Sequence, residues 1–152
     1  MTRRSEHVIA YSNVEPNFVE GLVRRSWALH GLGRYEEGLA AAEEALKIDA
    51  RSLAAQNNKA MCLFGLSRYK EALQSCEGVL KMVRELGNAW DTKGQILEKL
   101  ERYQEALAAY DKALTIDPKN SMAQLGRSRV SSPFYRFGMR SRRLIRKILG
   151  KR

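Results

Sequence analysis

The sequence predicts an all-α chain, an α-solenoid of helix-turn-helix hairpins repeated every 34 residues and ended by a C-terminal capping helix or a degenerate fourth hairpin. Three observations carry this. Three segments align without insertion: GRYEEGLAAAEEALKIDA from Gly33, SRYKEALQSCEGVLKMVR from Ser67 and ERYQEALAAYDKALTIDP from Glu101. They place Tyr35, Tyr69 and Tyr103 at one constant spacing, the mark of a tandem array. Within each segment the apolar residues follow helical spacing. In the third, Tyr103, Ala106, Leu107, Tyr110, Ala113 and Leu114 make one face. Only three prolines in 152 residues, with frequent Ala and Leu, favour helix over sheet.

The elements follow in order. Residues 1–18 form an N-terminal flank. Glu15-Pro16-Asn17 stands where Asp117-Pro118-Lys119 stands in the third segment, so Ser5–Val14 reads either as a remnant second helix or as a frayed terminus. The hairpins span Val19–Ser52, Leu53–Leu86 and Gly87–Asn120. Their first helices are expected near Asn17–Leu32, Ser52–Leu66 and Gly87–Leu100. The second helices begin near the three tyrosines and end near Ile48, Val83 and Ile116. Gly33, Ser67 and Glu101 hold the turns between them, and only the glycine accepts a left-handed backbone freely. Small residues recur where two helices must approach: Ser26, Ala60 and Gly94 in the first helices, Gly38, Ala72 and Ala106 in the second. One hairpin cannot bury its apolar surface alone, so neighbours stack.

Residues 121–152 hold a further helix, Ser121–Val130, a break at Ser131-Ser132-Pro133, and a basic amphipathic segment. Phe134, Phe137, Leu144, Ile145, Ile148 and Leu149 share one half of its helical wheel. Arg136, Arg140, Arg143, Arg146 and Lys147 share the other, and Arg142 adds to the charge. In the repeat frame Phe137 falls with the tyrosines, Leu144 with Tyr110 and Ile148 with Leu114. The segment therefore reads first as a cap whose apolar face covers the array, although Arg140 occupies the small place held by Ala106. The alternative is a basic helix that binds nucleic acid or an anionic membrane surface.

The pattern resembles the tetratricopeptide repeat family over Val19–Asn120. The third copy matches best, with Trp90, Gly94, Tyr103, Ala106, Tyr110, Ala113 and Pro118 at signature places. The other two depart from it. Leu22 and Gln56 stand for Trp90, Ala42 and Cys76 for Tyr110, and Ala50 and Arg84 for Pro118. The resemblance implies a protein–protein interaction module, with a peptide or protein partner in a concave groove lined by the first helices. Mapped onto this chain, the groove presents Glu20, Val23, Arg24 and Trp27, then Asn57, Asn58, Met61 and Phe64, then Asp91, Thr92, Gln95 and Glu98. Trp27, Met61 and Phe64 are either anchors for an apolar side chain or core residues. Asn57, Asn58 and Gln95 offer amides to an extended backbone. Chaperone-binding members hold a peptide carboxylate with Lys, Asn and Arg. The matching places here are Val23, Trp27, Asn58, Asn88 and Thr92, a neutral set that cannot compensate a desolvated carboxylate, so that clamp is not expected.

Charge divides the chain. Of 27 basic and 17 acidic residues, 17 of each lie within Met1–Asn120, and Ser121–Arg152 holds ten basic and no acidic ones. The net charge of +10 belongs to the tail, and the repeats are neutral. Cys62 and Cys76 fall on apolar helix faces and lack zinc-site spacing, so no metal or cofactor is expected. His30 is a remote candidate partner for Cys62 in a thiol–imidazole pair. Glu36-Glu37, Glu43-Glu44 and Asp111 have nearby Lys and Arg, which makes them solvated ion pairs rather than catalytic carboxylates. The expectation is a non-catalytic, cytoplasmic scaffold without a membrane span or signal peptide. Self-association through the ends of a short array is a further possibility.

Overall fold

The computed structural model describes residues 16–150, and every element in them is an α-helix. In chain order these are α1 (Pro16–Gly31), α2 (Tyr35–Ile48), α3 (Leu53–Gly65), α4 (Tyr69–Met82), α5 (Gly87–Lys99), α6 (Tyr103–Ile116), α7 (Ser121–Ser131) and α8 (Pro133–Leu149). The bounds fall within a residue or so of those the periodicity predicts. The helix considered for Ser5–Val14 lies outside the described residues. The chain divides into two compact units, Met1–Val79 and Leu80–Arg152.

The turn inside each hairpin is the same device three times. Gly33, Ser67 and Glu101 all adopt a left-handed backbone, with φ of 73°, 59° and 59°. The arginine that follows closes the turn: Arg34, Arg68 and Arg102 donate their N–H to Leu29, Leu63 and Leu97 carbonyls, each at 2.9 Å. Its guanidinium then bonds the glutamate three residues on, pairing Arg34 with Glu37, Arg68 with Glu71 and Arg102 with Glu105. So the geometry, not the glycine, is what repeats. Serine and glutamate adopt it despite the Cβ cost.

The turns between hairpins also share one donor. Gln56 Nε2 reaches the Ala50 carbonyl at 2.8 Å, Trp90 Nε1 the Arg84 carbonyl at 2.7 Å, and Gln124 Nε2 the Pro118 carbonyl at 2.7 Å. The glutamines thus keep the tryptophan's N–H while losing its ring. Ser52 and Asn120 cap α3 and α7 by accepting from the N–H groups of Ala55 and Ala123.

In unit 1, α1, α2 and α3 pack on one another. Leu22, Ala45 and Ala55 form a buried cluster, with Val19, Val23, Leu46 and Ile48 against it. The close approach falls at Ser26 and Gly38, where Ser26 Oγ donates to the Gly38 carbonyl at 2.7 Å. A Cβ on Gly38 would stand 2.9 Å from Cys62 Sγ.

In unit 2, α5, α6 and α7 pack together around Tyr110, which is fully buried. Its ring lies between two glycines. A Cβ on Gly94 would come within 2.6 Å of it, and one on Gly126 within 2.3 Å. Two periods earlier, Ala42 and Asn58 take the places of Tyr110 and Gly126. The large and small partners are exchanged, and both Ala42 and Asn58 are buried.

The cap reading of the tail divides. Helix α7 covers the rest of unit 2 with Ala123, Gly126 and Val130, all buried. Helix α8 does not cover it. Phe134, Phe137, Leu144, Ile145, Ile148 and Leu149 are all more than half exposed. The physical reason lies at Arg140, which stands at the frame place of Gly38, Ala72 and Ala106. Those three are buried, whereas Arg140 is exposed. A guanidinium cannot enter so close a helix contact, so the apolar stripe is not turned onto the core.

Candidate functional site

In unit 1 the first helices α1 and α3 lie side by side. Trp27 on α1 is 65% exposed, so it is no core residue. Arg24 is also exposed and pairs with Glu20 at 2.6 Å. Val23 is half-buried against the core cluster. On α3, Met61 and Phe64 are half-buried, and the Phe64 ring meets Tyr69 edge-on at 5.6 Å. Asn57 Nδ2 donates to Met61 Sδ at 3.7 Å, while its Oδ1 is buried and accepts no hydrogen bond. Asn58 differs from the expectation. It is 6% exposed, and its Nδ2 donates to the Val23 carbonyl at 2.9 Å. That amide ties α3 to α1 instead of facing outward.

The expected groove residues of unit 2 are turned largely to their own fold. Asp91 is buried, and Gln95 Nε2 donates to its Oδ1 at 3.3 Å. Burial pushes the Asp91 carboxyl above its ordinary range despite that bond. Thr92 Oγ donates to the Asn88 carbonyl one turn back. Glu98, expected on the groove, is instead buried and is the hub of a partly buried network. Arg129 from α7 binds it in bidentate fashion at 2.6 and 2.8 Å, Tyr135 from α8 donates at 2.6 Å, and Tyr110 donates at 3.0 Å. Burial pushes this carboxyl up, but the guanidinium and the two hydroxyls outweigh it and hold it below its ordinary range. Burial and the neighbouring carboxylate push the Tyr135 hydroxyl up to about 12. The sequence singled out Tyr110 as a signature residue and Glu98 as a groove residue, but nothing in it joined the two. Arg129 and Tyr135 reach Glu98 from 31 and 37 residues away, and no local spacing signals such a contact.

The thiol–imidazole pair is not assembled. Burial pushes the Cys62 thiol up, and the thiol bonds Ser26. The His30 ring lies tilted against Tyr35 at 5.5 Å.

Tetratricopeptide repeat models match residues 23–86 and 87–120, which together span most of the helical hairpins. The chain belongs to the tetratricopeptide repeat family. The tetratricopeptide repeat domain of Arabidopsis OM64 is 23% identical, with a TM-score of 0.70 over 74% of this chain and 93% of that one. The second such domain of human RPAP3, solved in complex with an HSP70 peptide, is 20% identical, with a TM-score of 0.65 over 72% and 91%. The Sgt2 tetratricopeptide repeat domain from Aspergillus fumigatus is 16% identical, with a TM-score of 0.71 over 90% and 85%. No curated protein sequence matches the chain. At these identities the likeness concerns the fold. Of the first-helix residues of this tetratricopeptide repeat protein, Trp27 and Arg24 in unit 1 are exposed, whereas Asp91 and Glu98 in unit 2 are buried. Among the described residues no helix is long and apolar enough to cross a membrane.

Proposed function

We propose that this chain is a non-catalytic protein-interaction module that binds an extended peptide of a partner protein on the first-helix faces, with Trp27 as the principal anchor. The observation that carries the reading is the exposure of Trp27, 65% on a helix whose neighbour α3 holds Met61 and Phe64 half-buried. A large aromatic left in water beside partly covered apolar groups gains most when a partner's side chain covers it. Asn57 has an unpaired acceptor that a peptide N–H would satisfy once the amide turns outward. Asp91, Thr92 and Gln95 would play a smaller part, since each already bonds within its own helix. The solved relative with an HSP70 peptide supports a peptide ligand in general terms.

The same residues set the ligand class. Val23, Trp27, Asn58, Asn88 and Thr92 supply no cation at the clamp places, and Arg24 is engaged by Glu20. A peptide with an apolar side chain for Trp27 therefore fits better than a chaperone tail read by its carboxylates. The proposed repeat borders are 19–52, 53–86 and 87–120. Cys62 and Cys76, both buried, suit a reducing cytoplasm.

The test is selection from a displayed peptide library, followed by affinity measurement with purified variants. Trp27→Ala is expected to weaken selected peptides about 30-fold, as a central aromatic anchor does, without lowering the melting temperature. Unchanged affinity in both Trp27→Ala and Phe64→Ala would remove the proposed face. Tight binding of a peptide ending in Glu-Glu-Val-Asp would refute the ligand class.

A further inference from the structure

Helix α8 is strongly two-sided, and it meets the rest of unit 2 with the wrong side for a cap. Among the described residues its contacts include Tyr135 with Glu98, the edge-on ring pair of Tyr135 and Tyr103 at 6.1 Å, and loose ion pairs from Arg143 and Arg146 to Glu101 at 3.9 and 3.8 Å. On a helix of 3.6 residues per turn, Tyr135, Arg143 and Arg146 lie nearly opposite the stripe of Phe134, Phe137, Leu144, Ile145 and Ile148. The stripe therefore faces away from the fold, with Phe134 88% and Phe137 72% exposed. Arg140 lies beside Leu144 along one edge of it and Arg142 beside Leu149 along the other, and both arginines are exposed.

We infer that α8 is an interfacial helix that docks the chain on an anionic phospholipid bilayer. Each side of the helix constrains the occupant. The apolar stripe needs a surface that removes it from water along the length of the helix. The basic edges need negative charge at the boundary of that surface, and long cationic side chains can reach headgroups while their stems stay with the acyl chains. A second copy of α8 would cover the stripe but would press arginine against arginine, and the chain has no acidic residue after Asp117 to relieve this. A nucleic acid would satisfy the charges and leave Phe134, Phe137, Leu144 and Ile148 in water. A bilayer containing anionic lipid meets both demands. The Tyr135–Glu98 bond and the break at Ser132 would hold the helix at the edge of unit 2 with its stripe outward.

The test uses the full chain and vesicles of phosphatidylcholine alone or with about 30% phosphatidylserine, with bound protein read by co-flotation. Partitioning is expected to be at least ~10-fold stronger on the anionic vesicles and to fall steeply as salt is raised. Leu144→Glu with Ile148→Glu is expected to cut it at least ~10-fold while leaving the melting of the repeats unchanged, since both side chains are exposed. In Phe134→Trp, the added emission should shift to the blue on anionic vesicles. Equal partitioning onto both vesicle types, wild-type binding by the double variant, or bound protein with unshifted emission overturns the inference. So does the absence of vesicle binding, whether the stripe then pairs two copies or single-stranded RNA binds equally to the wild type and the double variant.

Discussion

Adding one methyl group at Gly126 should destabilise the protein, although alanine is the better helix former. The reason is the ring of Tyr110. A Cβ at position 126 would lie 2.3 Å from Tyr110 Cζ, 2.6 Å from Cε1 and 2.8 Å from Cε2, against ordinary carbon contacts of about 3.5–4.0 Å. The ring must retreat by about 1 Å, and Gly94 closes the other side. Moving it also pulls the Tyr110 hydroxyl away from Glu98. Overpacking of this kind costs about 1–3 kcal/mol, and loosening a buried hydrogen bond adds about 1 kcal/mol. The helix propensity gained is about 1 kcal/mol. The net loss is about 2 kcal/mol, which should lower the urea midpoint by roughly 1 M. Gly21→Ala is the control. It lies inside α1 with nothing near its would-be Cβ, so the same substitution should raise stability by about 0.5–1 kcal/mol. Urea titrations followed by far-ultraviolet circular dichroism compare the two. If Gly126→Ala stabilises as Gly21→Ala does, the ring is not confined as described.

Two further outcomes follow from the network and the turns. Glu98 is held below its ordinary range in the folded state, so its contribution to stability is complete above that range and is lost as pH falls through the lowered folded value. Glu98→Gln should cost about 1–3 kcal/mol at neutral pH and less in strong acid, as urea midpoints across pH will read; a pH-independent cost would refute the charged network. Ser67→Gly and Glu101→Gly should each stabilise by up to about 1 kcal/mol, since φ of 59° is costly for any residue with a Cβ. Thermal melts check this, and a loss in both would show that the side chains matter more than the backbone.

The positions of the helices and turns were legible because the repeat samples the same local rules three times. Helical spacing located α1 to α7 to within a residue or so, and the neutral sites at Val23, Trp27 and Thr92 were visible by counting. The left-handed turns at Ser67 and Glu101 could be read from Gly33 only by trusting the frame over the residue type. The groove was legible less well. Asn58 and Glu98 are polar residues on a first-helix face, and spacing alone treats such residues as exposed. Their partners, the Val23 carbonyl and Arg129, lie 35 and 31 residues away. A buried polar group is stable only with such a partner, and identifying one requires the packed chain.

The tail divides most clearly between sequence and structure. The amphipathic pattern of Pro133–Leu149 and its charge are properties of the sequence alone, because they depend only on order and on 3.6 residues per turn. Which side of the helix meets the protein is not. A helix docks by the face that lets backbones approach, and Arg140 stands where the other hairpins hold Gly38, Ala72 and Ala106. Tyr135, Arg143 and Arg146 therefore make the contact, and the apolar stripe stays in water, a choice decided by tertiary packing.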